Sequence, residues 1–327
     1  MSNAAGDAVH RDAVHRNAVH RDAVHRDAVH DYVPDGAPHR VYAIKYADRQ
    51  ARRPEHFIGG DPHDEPMDMD YFVWAIVADP DDRDTLGHDP DDRDALGPEP
   101  AGGSVWVVDT GFDRLDAERR DRHLVRPVDE ALAAVGVDAA AVENVILTHL
   151  HYDHIGGFAR FPNARFHLQD REMSFATGRH MTHAALNHAY TAGHVADLVH
   201  LVYDDRVVFH DGDAELAPGI SVHLVGGHTM GLQVVRVATS IGWLVLASDA
   251  SHYYENMSTS RPFPIVYNLG DMLEGYRRCT ELASDPDFVI PGHDPLVFER
   301  YPVAGPGLDG IAVRLDVEPS NAHRPST

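Results

Sequence analysis

The sequence Thr148-His149-Leu150-His151-Tyr152-Asp153-His154 places three imidazoles and one carboxylate close together in the chain. It follows the apolar run Val145-Ile146-Leu147 and is followed by Gly156-Gly157. Imidazole and carboxylate donors at this density suit zinc or a similar transition metal. A strand ending here, with a tight turn after it, would bring the side chains together at the edge of a sheet. The stretch therefore predicts a metal site, and the alternative is a polar loop with scattered histidines.

Three further residues of the ligand type directly follow or lie between predicted strands. His228 lies between strands predicted over 220–225 and 232–238, Asp249 follows 241–247, and His293 follows 288–290. A lone histidine at a strand end is more often a satisfied polar group than a ligand. The repetition of strand and then ligand at four places in one chain favours a single composite site.

Taken together, these residues resemble the metallo-β-lactamase superfamily over about residues 40–303. The resemblance implies an α/β fold, an αββα sandwich in which two mixed β-sheets pack face to face and are flanked by helices. It also implies a dinuclear site for two zinc ions, or another divalent transition metal, with a fixed ligand set. In that set His149, His151 and His228 hold one ion, Asp153, His154 and His293 hold the other, and Asp249 bridges them. Asp109 matches the buried acid that supports the ligand loop.

Within the superfamily the sequence is most similar to the N-acyl-homoserine lactonase group. The shared features are His-Leu-His-Tyr-Asp-His-Ile-Gly-Gly, the Gly-His-Thr-x-Gly turn, and Asp249-Ala250-Ser251 followed by tyrosines. That group places a substrate-contacting tyrosine three residues after the bridging aspartate, where this chain has His252, followed by Tyr253 and Tyr254. The cysteine ligand of class B β-lactamases is not expected, because Cys279 is predicted in mid-helix. Tyr152 stands where flavodiiron proteins have glutamate, which argues against an oxygen-reducing di-iron centre.

The resemblance implies a zinc-dependent hydrolase that opens a lactone of the N-acyl-homoserine type, a quorum-quenching activity, or cleaves a related ester. A hydroxide bridging the two ions would attack the carbonyl carbon. Asp153 would relay a proton to the leaving group, and Tyr253 or Tyr254 would donate to the oxyanion. The alternatives are a thioesterase of the glyoxalase II type, an iron-dependent redox enzyme and a non-catalytic metal-binding protein.

The composition limits the partners and the compartment. Lys and Arg total 28 against 52 Asp and Glu, a net charge of −24, which argues against nucleic acid or an anionic membrane as partner. The expected partner is a small-molecule ester or lactone, and one sequence does not predict the oligomeric state. The single cysteine fits a reducing, cytoplasmic location. We expect no membrane span and no secretion signal, because no apolar segment of the required kind occurs.

The chain divides into a repeat tail at 1–38, a folded domain at 39–303 and a flexible C-terminal tail at 304–327. Residues 7–31 repeat Asp/Asn-Ala-Val-His-Arg. A five-residue period sends successive Ala-Val pairs to different faces of a helix or a strand, so this tail is predicted to be disordered. Within the domain, 79–103 carries an acidic tandem repeat and is predicted to be a solvated insertion. Segment 170–203 is predicted to be helical. Its apolar residues are more often core or surface at such spacing, and the alternative is a substrate wall.

Deleting residues 1–38 distinguishes a hydrolase from a metal buffer based on the repeat histidines. For a hydrolase, the shortened protein should keep about two tightly bound ions per chain and its full activity. A metal buffer should instead lose many weakly bound ions. The measurement is the metal content of dialysed full-length and shortened protein by atomic emission.

Overall fold

The computed structural model of this chain describes residues 38–78 and 105–320. The predicted repeat tail at 1–38, apart from its last residue, and the predicted insertion at 79–103 lie outside the described residues. In the described part of the chain, no helix combines the length and the apolar character that crossing a bilayer requires.

The described residues form thirteen β-strands and nine α-helices. The strands are β1 (His39–Arg49), β2 (Met69–Ala78), β3 (Val105–Val108), β4 (His123–Leu124), β5 (Asn144–Ile146), β6 (Arg165–Gln169), β7 (Val207–His210), β8 (Ala214–Ala217), β9 (Ile220–Leu224), β10 (Gln233–Thr239), β11 (Gly242–Ser248), β12 (Val289–Pro291) and β13 (Ala312–Arg314). The helices are α1 (Arg114–Arg120), α2 (Val128–Ala134), α3 (Tyr152–Ile155), α4 (Asp170–Ala176), α5 (Ala184–Asn187), α6 (Ala192–Tyr203), α7 (Tyr254–Ser258), α8 (Leu269–Leu282) and α9 (Leu296–Arg300).

The strands form two mixed sheets. The first has the order β13-β1-β2-β3-β5-β6-β7, and β4 pairs with β1. Its strands are antiparallel from β13 to β3 and parallel from β3 to β7. The second sheet has the order β12-β11-β10-β9-β8, in which only the β11–β12 pair is parallel.

The two sheets pack against each other through alternate side chains of their strands, as the two-residue period of a strand requires. In β2, Phe72, Trp74 and Ile76 belong to the apolar layer between the sheets. Tyr71 and Val73 of the same strand point to the other face and pack in a second apolar layer. Both faces of the strand are therefore covered.

Helices cover the outer face of each sheet. Leu132 of α2 and Leu198 of α6 pack in the apolar layer on the outside of the first sheet. Cys279 of α8 packs with Val234 and Val245 on the outside of the second sheet. The order helix, sheet, sheet, helix is the αββα sandwich that the sequence predicted.

The prediction of a flexible tail at 304–327 is wrong for residues 304–320. β13 extends the first sheet by pairing with β1, and Val313 and Leu315 are buried in the layer between the sheets. The Gly-, Pro- and Asp-rich composition of this segment predicted a tail. The strand has only three residues, and its partner β1 is at the start of the domain in the sequence, so no local pattern marks it.

Gly157 lies where the ligand loop meets the backbone after β3. A Cβ atom at this position would lie 2.0 Å from the carbonyl oxygen of Thr110, so the backbone would have to move. Gly157→Ala should lower the free energy of unfolding by about 1–3 kcal/mol, measured by urea denaturation.

Gly193 in α6 provides the matched control. A Cβ atom there would meet nothing within 4 Å, and alanine favours a helix over glycine by up to about 1 kcal/mol. Gly193→Ala should therefore be neutral or stabilising. An equal loss of stability in both variants would show that the close approach at Gly157 is not the cause.

Candidate metal centre

The predicted ligands lie at one edge of the sandwich, where strands of both sheets end. His149 to His154 follow β5 of the first sheet and run into α3. His228 lies in the loop between β9 and β10, Asp249 follows β11, and His293 follows β12. Residues from both sheets therefore build this site.

His149, His151, His228 and Asp249 form a first group of ligand atoms. One such atom from each residue lies within 4.8 Å of all the others. His228 Nε2 is 2.9 Å from His151 Nδ1 and 3.1 Å from Asp249 Oδ2. His149 Nε2 is 3.7 Å from the same carboxylate oxygen. All four side chains are buried, so a cation here would be enclosed by protein donors.

Asp153, His154 and His293 form a second group within the same distance limit. His293 Nε2 is 3.0 Å and His154 Nε2 is 3.4 Å from Asp249 Oδ1. Asp153 lies farther away, with its oxygens 3.8 Å and 3.9 Å from the same two nitrogens. Asp249 thus presents Oδ2 to the first group and Oδ1 to the second, and its carboxylate lies between them.

In four histidines of the cluster, Nε2 points toward the other ligand atoms and Nδ1 contacts a separate partner that holds the ring in place. The Nδ1 contacts are His154 to Asp109 Oδ2 (2.7 Å), His228 to the Ile265 carbonyl (2.7 Å), His293 to the Asp70 carbonyl (2.9 Å) and His149 to Thr148 Oγ1 (3.2 Å). Partners of this kind orient imidazole ligands in metal sites and fix their tautomer. Nε2 of each ring is therefore the atom available to an ion.

Asp109 contacts the ligand loop, as the sequence predicted. Its carboxylate accepts hydrogen bonds from the backbone N–H and the hydroxyl of Thr148, and Oδ2 also contacts His154. The residue is fully buried, and its backbone is left-handed with φ of 61°. Such a conformation is uncommon for a residue other than glycine. The turn after β3 therefore positions this carboxylate against Thr148 and His154 of the ligand loop.

Burial and the neighbouring charges set the protonation of the cluster. Burial and the adjacent histidines lower the pKa of His149 and His151 well below its usual value. Burial would raise the pKa of Asp249, but the surrounding histidines outweigh it and hold the pKa well below its usual value. Burial would lower the pKa of His154, but the carboxylates of Asp109, Asp249 and Asp153 outweigh it and raise the pKa. An ionised carboxylate beside neutral imidazoles is the state that binds metal. An ion would displace the proton on Nε2 of His154, while Nδ1 keeps its contact with Asp109.

The donor atoms fit a metal ion because several of them lack any other partner. His149 Nε2, His154 Nε2 and Asp249 Oδ1 are buried and make no hydrogen bond. Buried polar atoms are nearly always paired in folded proteins, so unpaired ones call for an explanation. A divalent cation on each side of Asp249 would satisfy all three atoms.

Glu172 in α4 is a supporting residue that sequence reasoning missed. The carboxylate is fully buried and accepts four hydrogen bonds. The donors are the Leu150 backbone (3.0 Å), the Tyr190 hydroxyl (2.9 Å), the Thr229 hydroxyl (2.7 Å) and the Gly231 backbone (3.1 Å). Glu172 therefore joins the loop of His149 and His151 to the loop of His228. An acid in the first turn of a helix is too common for the sequence to single it out.

The side chains of Tyr253 and Tyr254 contact residues outside the cluster, and the buried Tyr254 hydroxyl makes no hydrogen bond. Tyr253 donates to the Asp68 carbonyl at 3.1 Å and lies 3.2 Å from His56 Nε2. The guanidinium carbon of Arg300 lies over the Tyr254 ring, 4.5 Å from the ring centroid. Their predicted role as donors to the substrate stays a prediction.

His252, the residue before these tyrosines, does reach the cluster. Its Nε2 lies 3.1 Å from Asp249 Oδ2. The sequence predicted no role for His252, because the resembled group has a tyrosine at this position and the neighbouring tyrosines were assigned that role instead.

The helical segment after the ligand loop contributes one aromatic contact to the site. The Tyr190 ring lies 4.6 Å from the His151 ring, nearly perpendicular to it. Tyr190, Met181 and Val195 also line a cavity of about 520 Å³. Tyr190, Val195 and Leu198 all belong to the apolar core outside the first sheet. The segment 170–203 thus packs mainly in the core, and its Tyr190 ring also lies beside the cluster.

Comparison with known proteins agrees with this geometry. The sequence model of the metallo-beta-lactamase superfamily matches residues 99–293. A Mycobacterium tuberculosis protein named "Probable metallo-hydrolase" is 27% identical over 230 residues, which cover 59% of this chain and 72% of that protein. An N-acyl homoserine lactonase of Bacillus thuringiensis is 31% identical over 165 residues, or 50% of this chain and 60% of that protein.

Solved structures show the same fold at lower sequence identity. The crystal structure of a quorum-quenching N-acyl homoserine lactone lactonase matches with a TM-score of 0.61 and 20% identity, covering 80% of this chain and 95% of that one. The family match spans more than half of the chain and contains every residue of the cluster. This chain belongs to the metallo-β-lactamase superfamily.

Proposed function

We propose that this protein is a hydrolase that uses two divalent transition-metal ions, such as zinc, to open a lactone or cleave a related carboxylic ester. Nitrogen and carboxylate donors without thiolate or thioether suit zinc. The similarity to N-acyl homoserine lactonases over half of the chain supports a lactone as substrate.

The position of the Asp249 carboxylate carries the proposal of two ions. One oxygen faces His149 and His228, and the other faces His154 and His293. A single ion would use one of these groups and leave buried nitrogen atoms of the other unpaired. Two ions, with Asp249 between them, would give each of these two groups a cation.

His149, His151 and His228 would hold one ion, Asp153, His154 and His293 the other, and Asp249 both. When bound, such a pair lowers the pKa of water to about 7 and polarises the carbonyl oxygen of the substrate. The protein's own contribution is to orient these donors through Asp109, Glu172 and the backbone carbonyls behind the rings.

Asp153 is suited to move the proton during the reaction. Of the proposed ligands it is the most exposed, at 8%, and its oxygens lie farther from the neighbouring nitrogens than those of Asp249. In the proposed step, water attacks the carbonyl carbon and a proton passes from it to the Asp153 carboxylate. The same proton then passes to the leaving alkoxide as the C–O bond breaks, which yields an alcohol and a carboxylic acid.

A substrate panel on metal-loaded protein tests the substrate class. The panel contains short- and long-chain N-acyl-homoserine lactones, simple γ-lactones, aryl esters and S-lactoylglutathione. The proposal predicts the highest kcat/KM on a lactone. Preferential cleavage of the thioester would replace it with a thioesterase, and no hydrolysis of any member would remove the proposed activity.

His151→Ala removes one donor of the first group. We expect loss of about one ion per chain and a fall in kcat of at least 100-fold, because the remaining donors cannot hold and orient the pair. The measurements are metal content after dialysis and lactone hydrolysis at saturating substrate.

His183→Ala is the control for this variant, because His183 is an exposed histidine on the helical segment. It should keep both the metal content and the activity of the parent protein. Unchanged activity in His151→Ala would exclude the proposed site.

Asp109→Asn tests the support behind the cluster. The change keeps the shape of the side chain and removes the charge that holds His154. We expect metal affinity to fall by about 10–100-fold, measured by competition with a chelator of known affinity, while circular dichroism stays unchanged. Asp121 is an exposed aspartate that also has a positive φ, 54°, and Asp121→Asn should bind metal like the parent. Parental affinity in Asp109→Asn would show that this carboxylate does not act on the ions.

A further inference from the structure

We infer that His252 is an additional nitrogen ligand of the metal centre, on the Asp249 Oδ2 side. The inference rests on the proposed function, because it concerns the same pair of ions. It assigns a donor at the place where the resembled lactonases have a tyrosine that contacts the substrate.

The position of the His252 ring supports ligation. Its Nε2 lies 3.1 Å from Asp249 Oδ2, as close as His228 Nε2 lies to the same oxygen. Ligand atoms of His252, Asp249 and His293 lie within 4.8 Å of one another. The side chain is 2% exposed. His252 is therefore a buried imidazole that borders the cluster at Asp249 and His293.

The ring is fixed in this orientation by its neighbours. Phe263 stacks on one face, with ring centroids 3.7 Å apart and planes 5° from parallel. The His293 ring lies 5.1 Å away at 30°, and the His228 ring lies 5.0 Å away. A side chain locked by packing presents its donor atom at little cost in conformational entropy, as a ligand should.

No hydrogen bond to Nδ1 fixes the tautomer of this ring. Nδ1 of His252 is buried and has no hydrogen-bond partner. A neutral imidazole whose N–H is on Nδ1 leaves that N–H unpaired but frees the lone pair of Nε2 toward the cluster. Coordination through Nε2 uses that lone pair, beside the Oδ2 atom that would bind the same ion.

An imidazole and a phenol differ in what they do at this position. A phenol can donate a hydrogen bond to a substrate oxygen, whereas an imidazole nitrogen bound to an ion cannot. Ligation by His252 also occupies one coordination position that would otherwise be open to water or substrate. We therefore expect a centre that binds metal more tightly than a tyrosine at 252 would allow.

Cobalt provides a direct test, because the visible spectrum of Co²⁺ reports the ligands around it independently of activity. The proteins to compare are the full chain, His252→Phe and His252→Tyr, each titrated with Co²⁺ after removal of metal. We expect both variants to bind one Co²⁺ at least tenfold more weakly and to show a changed visible band. His252→Tyr should in addition hydrolyse a lactone faster than the parent when fully loaded.

His56→Phe is the matched control. His56 is also buried and lies against Phe263, with ring centroids 5.7 Å apart, and its Nε2 contacts the Met67 carbonyl. It should leave the cobalt spectrum and affinity unchanged, and thermal melts report whether each variant is folded.

The outcomes separate this inference from the proposed function. If the parent binds two Co²⁺ ions and both variants at position 252 match its spectrum and affinity, His252 is not a ligand and only this inference is overturned. If the parent binds no Co²⁺, the proposed function and this inference are overturned together.

Discussion

The carboxylate of Asp249 is the constraint on which the site depends. Its two oxygens face donors that come from different sheets: His154 follows β5 of the first sheet, and His228 and His293 belong to the second. Ser248, immediately before it, has a φ of 46°, a conformation that costs of order 1–3 kcal/mol and persists only when the surrounding structure enforces it. The Ser248 hydroxyl lies 3.0 Å from the Thr148 hydroxyl of the ligand loop, so the residue before Asp249 is tied to the loop that carries the other donors.

Several strands and the grouping of the candidate ligands could be predicted from the sequence, because their signals are local. The apolar run at 145–147 and the density of His and Asp after it mark a strand end with ligands. Local residues also set the bounds of α2, which begins directly after Pro127, and of the following turn, where Asp138 accepts a hydrogen bond from the Ala140 N–H. The αββα layering followed from the resemblance rather than from these patterns, and the structure confirms it.

The remaining features depend on contacts between distant segments, which no local pattern encodes. Glu172 reads as an ordinary acid at the start of a helix, yet its carboxylate ties together the loops before and after it. β13 is a three-residue strand whose existence depends on β1. The family pattern drew the prediction to Tyr253 and Tyr254 rather than to His252. The Tyr253 hydroxyl donates to the Asp68 carbonyl, and the Tyr254 ring packs near Arg300. Composition also misled at 304–320, because Gly and Pro are frequent in ordered turns as well as in tails.

Anomalous X-ray diffraction at the zinc edge, from crystals of the zinc-loaded full chain, tests the bridging position of Asp249 most directly. We expect two peaks about 3.5–4 Å apart, one beside Oδ1 and one beside Oδ2. A single peak, or two peaks that share no contact with Asp249, would contradict a dinuclear centre built around this carboxylate.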